Sequence, residues 1–393
     1  MMTMTGIGKV KNNPEIVKSW GKFGLVANQA SVDDDYEPTW KILNEIGEGS
    51  LTALFGPQHG FEATVQDNMI ETGHTKHLAT GLPVYSLYSE TRKPTEKMLS
   101  GLDTIVIDLQ ITGCRVYTFK WTIAECLRAG VELGKKVVIL DRPNPVGGEL
   151  LEGRILDSDR HSFVGQDAIP MRHGLTPGEL AKFVNRNIGC ELEVVELESW
   201  DPCTDFRATG LPWVITSPNL PTLESVMVYP GTVLFEATNV SEGRGTTLPF
   251  QFLGSPYLKD PRELKSYLEK WPDILDGVVI RPCSFMPTSQ KWKNEECNGI
   301  QLHVEDYYAV KSYKLALAVC NAFYLKKGFE WAAPGYEYNF DVLPIELIIG
   351  SKETVDHFGE NFDPNDPFWS EGLLEYIENV KPYLIYKREM KIA

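Results

Sequence analysis

The feature that most constrains the fold is an alternation. Over roughly its first two hundred residues the chain places short apolar runs between stretches with helical spacing. Residues 23–28, 52–55, 82–87, 103–108 and 136–140 read as buried strands closed by Gly-rich or polar turns. Between the last two, 121–133 carries apolar residues at helical spacing, with Gly134 as the expected C-cap. A helix over 177–187 and a strand over 192–196 extend the series. Strands separated by helices of this length require right-handed crossovers. The predicted class is therefore α/β, with a Rossmann-like, mostly parallel sheet.

From about residue 205 the texture changes. Pro212, Pro218, Pro221 and Pro230 cluster with Gly210 and Gly231, which reads as a long irregular connection. Beyond it, helices are expected over 261–269, 312–326, 344–358 and 369–386, with strands over 277–280 and 300–304. This is the pattern of a smaller α+β auxiliary domain. A chain of 393 residues exceeds one comfortable core, so the expected division is 1–230 for the Rossmann-like domain and 231–393 for the auxiliary one.

Composition removes several classes of function. Apolar residues make up 42% and charged residues 23%, an ordinary globular balance that supports a packed core. A net charge of −16 disfavours nucleic acid as a partner, because phosphate neutralisation needs clustered Lys and Arg. Seven cysteines without a C-x-x-C pair argue for reduced thiols. No run approaches the ~18 apolar residues of a membrane span. Residues 1–10 lack a cationic segment followed by an apolar one, so the expected location is cytoplasmic as the sequence stands, and exported if the native N-terminus is longer. Oligomeric state leaves no signal.

The polar signals collect where strands end, the edge at which open α/β sheets bind ligands. Gln58 and His59 follow one strand, and Glu90 follows another. Asp108, Gln110 and Arg115 end a third, and Asp141 and Asn144 end a fourth. Asp67, Arg172 and His173 sit in loops of the same half. The connection adds Asn219, then Glu236, Asn239 and the run Glu242-Gly-Arg244-Gly. A turn role accounts for Asp141-Arg-Pro-Asn144 about as well as a site role. Glu242 and Arg244 interleaved with glycines have little packing value, and a domain interface is a preferred pocket position. Metal ligation has no support, since H-E-x-x-H, C-x-x-C and acidic Ca²⁺ loops are absent. The chain also lacks G-x-G-x-x-G after the first strand, the P-loop, and G-x-S-x-G. Carboxylates, histidines, amides and arginines remain, equipment for acid–base chemistry on an oxygen-rich substrate such as a sugar.

Taken in order, these segments resemble the exo-β-N-acetylmuramidases, NamZ-type glycoside hydrolases long catalogued as a domain of unknown function. The matching motifs include G-P-Q-H-G-F at 56–61, T-R-K-P-T at 91–95, L-D-R-P-N-P at 140–145, S-P-N-L-P-T at 217–222 and S-E-G-R-G-T-T at 241–247. The resemblance implies a Rossmann-like domain joined to an auxiliary domain, with the site in the cleft between them. It implies removal of β-1,4-linked N-acetylmuramic acid from non-reducing ends of peptidoglycan fragments, with no cofactor. The implied partner is an amino-sugar saccharide or muropeptide-derived glycan. Two positions depart from the family pattern: Gln58 stands where Glu is common, and Ile111 where an Asp follows D-x-Q. Neither side chain can donate a proton. Glu90 and Glu242 are then expected as the working pair, with Glu90 the acid because an apolar strand end precedes it. Asp108 and Gln58 stay in the candidate set. Arg172 or Arg244 is expected to clamp the lactyl carboxylate of muramic acid. Two alternatives stand beside this reading: a sugar-binding protein of the same fold that lost its acid, and a glycosidase of shifted amino-sugar specificity.

Overall fold

The structure, a computed structural model, describes residues 2–67 and 69–393. The first half contributes β1 (Phe23–Ala27), β2 (Leu51–Gly56), β3 (Thr75–Lys76), β4 (Pro83–Ser86), β5 (Thr104–Asp108), β6 (Lys136–Leu140), β7 (Leu150–Leu151) and β8 (Leu192–Val195). Seven of these form one sheet in the order β3-β4-β2-β1-β5-β6-β8. All its pairings are parallel except that of β3 with β4.

Strand alternation explains how the sheet is covered. Leu25, Val106, Val138 and Leu140 point to one face. There they meet Ile7 and Val10 of the helix Gly6–Asn12 and Ile42 and Leu43 of the helix Thr39–Ile46. Val26, Ile105, Ile107 and Ile139 point to the other, where Ile123 and Leu127 of the helix Phe119–Leu133 pack. Burial on both faces is why β1 and β5 read as unbroken apolar runs. Gly134 ends the long helix in the left-handed conformation, as its position implies.

The second face does not stop at those helices. Its cluster continues into the second half, reaching Leu317 and Ile348. That half holds an antiparallel sheet of β9 (Phe252–Ser255), β10 (Val278–Phe285) and β11 (Cys297–Val304), in the order β10-β11-β9. The end of the chain then returns to the first half. β12 (Lys391–Ile392) pairs with β7, and Arg388 and Glu179 form a fully enclosed ion pair at 2.7 Å. The architecture is a two-domain α/β fold.

Three expectations need correction. The stretch read as irregular contains the helix Leu223–Thr232, so a boundary near 230 falls inside an element. Pro230 and Gly231 looked like loop signals but serve packing. A Cβ on Gly231 would lie 1.9 Å from the Ser312 carbonyl, so only glycine lets this helix meet Ser312–Tyr324 so closely. The helices expected over 344–358 and 369–386 are shorter, Pro344–Ile349 and Leu373–Val380, each followed by a separate 3₁₀ turn. Among the described residues no helix is long and apolar enough to cross a membrane.

Candidate active site

The sheet reverses direction of growth between β1 and β5, the place where open α/β sheets form a ligand crevice. Here a hollow of about 300 Å³ lined by Ala30, Val32, Gln110 and Arg142 remains, and the carboxylate beneath it is closed off. Asp108 is fully buried at the end of β5, and both its oxygens are taken by Arg142 and Thr39, the Arg142 Nη2 contact being 2.7 Å. The Thr216 hydroxyl donates to the Gln110 carbonyl at 2.8 Å and lies 3.0 Å from the Tyr117 hydroxyl.

The open cleft lies beyond β2, between the two halves, and spans about 400 Å³ including its open mouth. The first half supplies Gln58 and His59 from the turn after β2, Thr118 from the head of a helix, and Asn219. The second half supplies Glu236, Arg244, Tyr336 and Glu337. His59 holds a left-handed backbone, φ 72°. Its Nδ1–H donates to the Val65 carbonyl at 2.7 Å, and its Nε2 accepts from the Ser217 hydroxyl at 3.1 Å. Burial pushes the imidazole down to about 4, and the Arg244 charge adds to this, so the ring is neutral at physiological pH.

Three carboxyl groups from the second half differ in what surrounds them. Glu236 accepts from Arg244 Nη2 at 2.6 Å and from the Tyr336 hydroxyl at 2.7 Å. Glu242 lies one layer behind, held by Lys291 at 2.8 Å and Arg244 at 3.4 Å. Burial opposes its charge, but the two cations outweigh burial and hold the carboxyl below its ordinary range. Among the described residues no cation bonds Glu337, although the nearby Arg92 charge favours its ionised form. It accepts from the Tyr88 hydroxyl at 2.9 Å and from Gln58, whose own carbonyl takes the Thr118 hydroxyl at 2.5 Å. Burial pushes Glu337 up to about 7, and the nearby Glu236 charge adds to the effect. One carboxyl thus keeps its proton up to about pH 7 beside a neighbour paired with arginine, two environments suited to different roles.

The backbone around Glu337 is costly. Glu337 and Tyr338 have φ of 46° and 65°, and the Asn339 N–H donates to the Tyr336 carbonyl at 3.0 Å. This is a type I′ turn built without glycine at its centre. Left-handed side-chain-bearing residues cost on the order of 1–3 kcal/mol each and collect at functional sites. Outside the cleft, Glu337 also borders a second, more open hollow of about 590 Å³ that includes Glu90, Arg92, Phe163 and Tyr338.

The structure brings Gln58, His59, Asn219, Glu236 and Arg244 together, with Glu242 directly behind. Glu90 reaches only the outer hollow. Its side chain is 78% exposed, so the burial expected from the preceding strand does not occur. Asp67 is tied to Gln290 across the two halves. Asn239 lies off the cleft, bonded to Tyr257 and the Gly328 carbonyl.

The remaining candidates are built into the scaffold, because their polar atoms are used internally. Asp108 is taken by Arg142, and Gln110 donates to the Ile111 and Pro143 carbonyls. Arg115 donates to four carbonyls, those of Arg154, Ile169, Ile348 and Ile349, and so joins the halves. Asp141 accepts from Thr176, the Gly178 N–H and Tyr386, and Asn144 donates to Leu175. Arg172 pairs with Glu152 and donates to the Val310 carbonyl, which leaves no fork for a ligand. His173 accepts from the Leu175 N–H, and burial keeps it neutral. Ile111 lies in the apolar core.

Sequence reasoning missed Glu337, Tyr336 and Thr118. The available signal for the first two was the turn Gly335-Tyr-Glu-Tyr-Asn339, which carries no motif. Among the described residues the one carboxylate group close enough to share an ion is Asp33, Asp34 and Asp35, and Lys11 already pairs with Asp33 and Asp35.

Comparison with known proteins adds the following. The family model described as exo-beta-N-acetylmuramidase NamZ, N-terminal, matches residues 23–224, and its C-terminal counterpart matches 227–386. The chain is 39% identical over 373 residues to the peptidoglycan beta-N-acetylmuramidase NamZ of Bacillus subtilis, covering 93% of this chain and 87% of that one. Two solved DUF1343 family proteins from Bacteroides fragilis are similar throughout. One has a TM-score of 0.86 and 30% identity, covering 98% of this chain and 100% of that one. The other has 0.74 and 26%, covering 100% of both.

Proposed function

The chain belongs to the exo-beta-N-acetylmuramidase NamZ family, and from that premise we propose that its interdomain cleft cleaves a terminal N-acetylmuramic acid from the next sugar, with Glu337 as proton donor. The protein is a glycoside hydrolase that removes N-acetylmuramic acid from peptidoglycan-derived glycans. The observation that carries the assignment of the acid is Glu337 itself, a cleft carboxyl raised to about 7 beside the arginine-paired Glu236.

The chemistry follows from those surroundings. The leaving sugar oxygen needs a proton, and a carboxyl that titrates near neutrality holds one while remaining acidic enough to give it up. The departing bond leaves positive charge on the anomeric carbon, which Glu236 faces as the stabilising carboxylate, until water adds to that carbon and its released proton, through solvent, restores Glu337. Arg244 and Tyr336 fix the orientation of Glu236, and neutral His59 offers polar contact without adding charge. Gln58 stands where the family often has Glu, and its amide orients the Glu337 carboxyl instead of donating a proton. The β-1,4 linkage and attack from the non-reducing end are part of the same proposal.

Replacing Glu337 with Gln tests it. A lost general acid costs roughly 10²–10⁴ in rate. The loss should appear on a disaccharide, whose leaving group needs the proton, and nearly vanish on an aryl N-acetylmuramide with a good leaving group. In the native protein activity should fall as pH rises through about 7, where Glu337 ionises, and that limb should be absent from the variant's aryl glycoside profile. Equal losses on both substrates would remove Glu337 from the role.

A further inference from the structure

Muramic acid differs from glucosamine by a lactyl ether that ends in a carboxylate, so an enzyme selective for it needs a cation with unused donors. The sequence pointed to Arg172 or Arg244, and neither qualifies. Arg172 and Arg244 both spend their two terminal nitrogens inside the protein and keep only a buried Nε without a partner, which offers no two-nitrogen fork. Lys291 is committed to Glu242 and two backbone carbonyls. Lys120 is sealed against the Cys114 and Tyr117 carbonyls.

Arg92 is different. It lines the outer hollow that shares Glu337 with the cleft, and its side chain is 20% exposed. Its guanidinium lies over the Tyr88 ring at 3.8 Å, with Tyr338 and Phe163 centred 5.4 and 5.7 Å away. Nη1 donates to the Ser89 carbonyl and sits 3.6 Å from Glu71. Nε and Nη2 carry no hydrogen bond among the described residues. A guanidinium held flat by aromatic rings keeps its fork in one orientation, which lowers the entropic cost of gripping a carboxylate. Tyr88, which carries Arg92 on its ring, also donates its hydroxyl to Glu337. The cation and the acid are therefore positioned by the same side chain, one on the face of the ring and the other at its hydroxyl.

We propose that Arg92, seated on Tyr88, reads the lactyl carboxylate of the bound N-acetylmuramic acid and sets specificity for it over N-acetylglucosamine. The inference rests on the cleft being the hydrolytic site. Glu71 and Glu90 on the same hollow sharpen the selection, since a carboxylate is tolerated there only where it meets the guanidinium.

Competitive inhibition of aryl N-acetylmuramide hydrolysis tests the idea, using three probes: free N-acetylmuramic acid, its lactyl amide, and N-acetylglucosamine. In Arg92→Gln the acid should inhibit roughly 10- to 100-fold more weakly, the worth of a hydrogen-bonded charge contact. Inhibition by the amide and by N-acetylglucosamine should stay within about two-fold, which also shows that the variant is folded. Arg92→Lys should recover part of the loss, and KM for the muramide should rise much more than kcat falls. Equal weakening toward acid and amide, or no change toward either, overturns the assignment of Arg92. Glu337 is tested separately, through the leaving-group dependence of its Gln variant.

Discussion

Two ends of the same molecule bury carboxyl groups, and they do it in opposite ways. At the switch point of the sheet, Asp108 is sealed between Arg142 and Thr39, every oxygen answered. In the interdomain cleft, Glu337 is nearly as deep but meets a phenol and an amide, with no cation bonded to it among the described residues, and borders open space. The first arrangement compensates a charge and fixes a strand end. The second leaves a proton in place at neutral pH. A raised carboxyl alone does not make a site, since burial also pushes Asp141 up to about 7. Asp141 is fully buried and bonded by Thr176, Gly178 and Tyr386, whereas Glu337 lines the cleft. Solvent-reachable space beside the raised group separates the two.

The largest effect that could break this comparison is at the switch point. Asp108→Ala would leave Arg142 buried without its partner, a change worth about 3–5 kcal/mol of stability. Denaturant unfolding should show that loss, while kcat on an aryl muramide, measured on the folded fraction at low temperature, should match the native value. A variant that stays stable and loses activity would move Asp108 into the chemistry and reopen the crevice as a site.

A smaller effect of the opposite sign is expected at Glu337. Its folded pKa lies above the unfolded value, so the native state holds the proton more tightly than the unfolded chain between about 4.5 and 7. Stability from this group is therefore complete below about pH 4.5 and is lost as pH rises through about 7. Glu337→Gln never ionises and escapes the loss. Relative to native, the variant should gain about 2–3 kcal/mol between pH 4.5 and pH 8. Chemical denaturation at the two pH values measures this, and a difference that does not change with pH would mean Glu337 titrates normally.

The same contrast explains what was legible in the sequence. The parallel sheet was, because buried strands in regular alternation with helices leave few topologies. Strand-end polarity pointed to Gln58 and His59, which line the cleft, and equally to Asp108, Gln110, Asp141 and Asn144, whose side chains are bonded internally. A strand end filled by internal hydrogen bonds carries the same residue types as one open to a ligand. What separates them is contact with residues distant in sequence, such as Tyr386 on Asp141 or Arg142 on Asp108. Glu337 was invisible for a related reason. It sits at no strand end, and its environment is assembled from Tyr88, 249 residues earlier, and from Gln58, farther still. Glu90 showed the converse failure, since adjacency to an apolar strand does not say which way the next side chain points.

The smallest effect sharpens the comparison at the position where the chain departs from its family. Gln58 now hydrogen-bonds the Glu337 carboxyl and so favours its ionised form, holding the value below where burial alone would put it. Gln58→Glu removes that amide and places a second carboxyl in the same contact. Two carboxyls at hydrogen-bonding distance cannot both ionise cheaply, so the pair should share a proton and titrate in two coupled steps. The alkaline limb of the pH–rate profile should then move up by about one unit, a difference of about 1.4 kcal/mol. The rate on the acid side of that limb should stay close to native, because Glu337 is already protonated there. A large gain at the optimum, with an activity that survives Glu337→Gln in the double variant, would instead return the proton donor to position 58 and leave Glu337 as its partner. The pH–rate profiles of the single and double variants on one disaccharide substrate separate these outcomes.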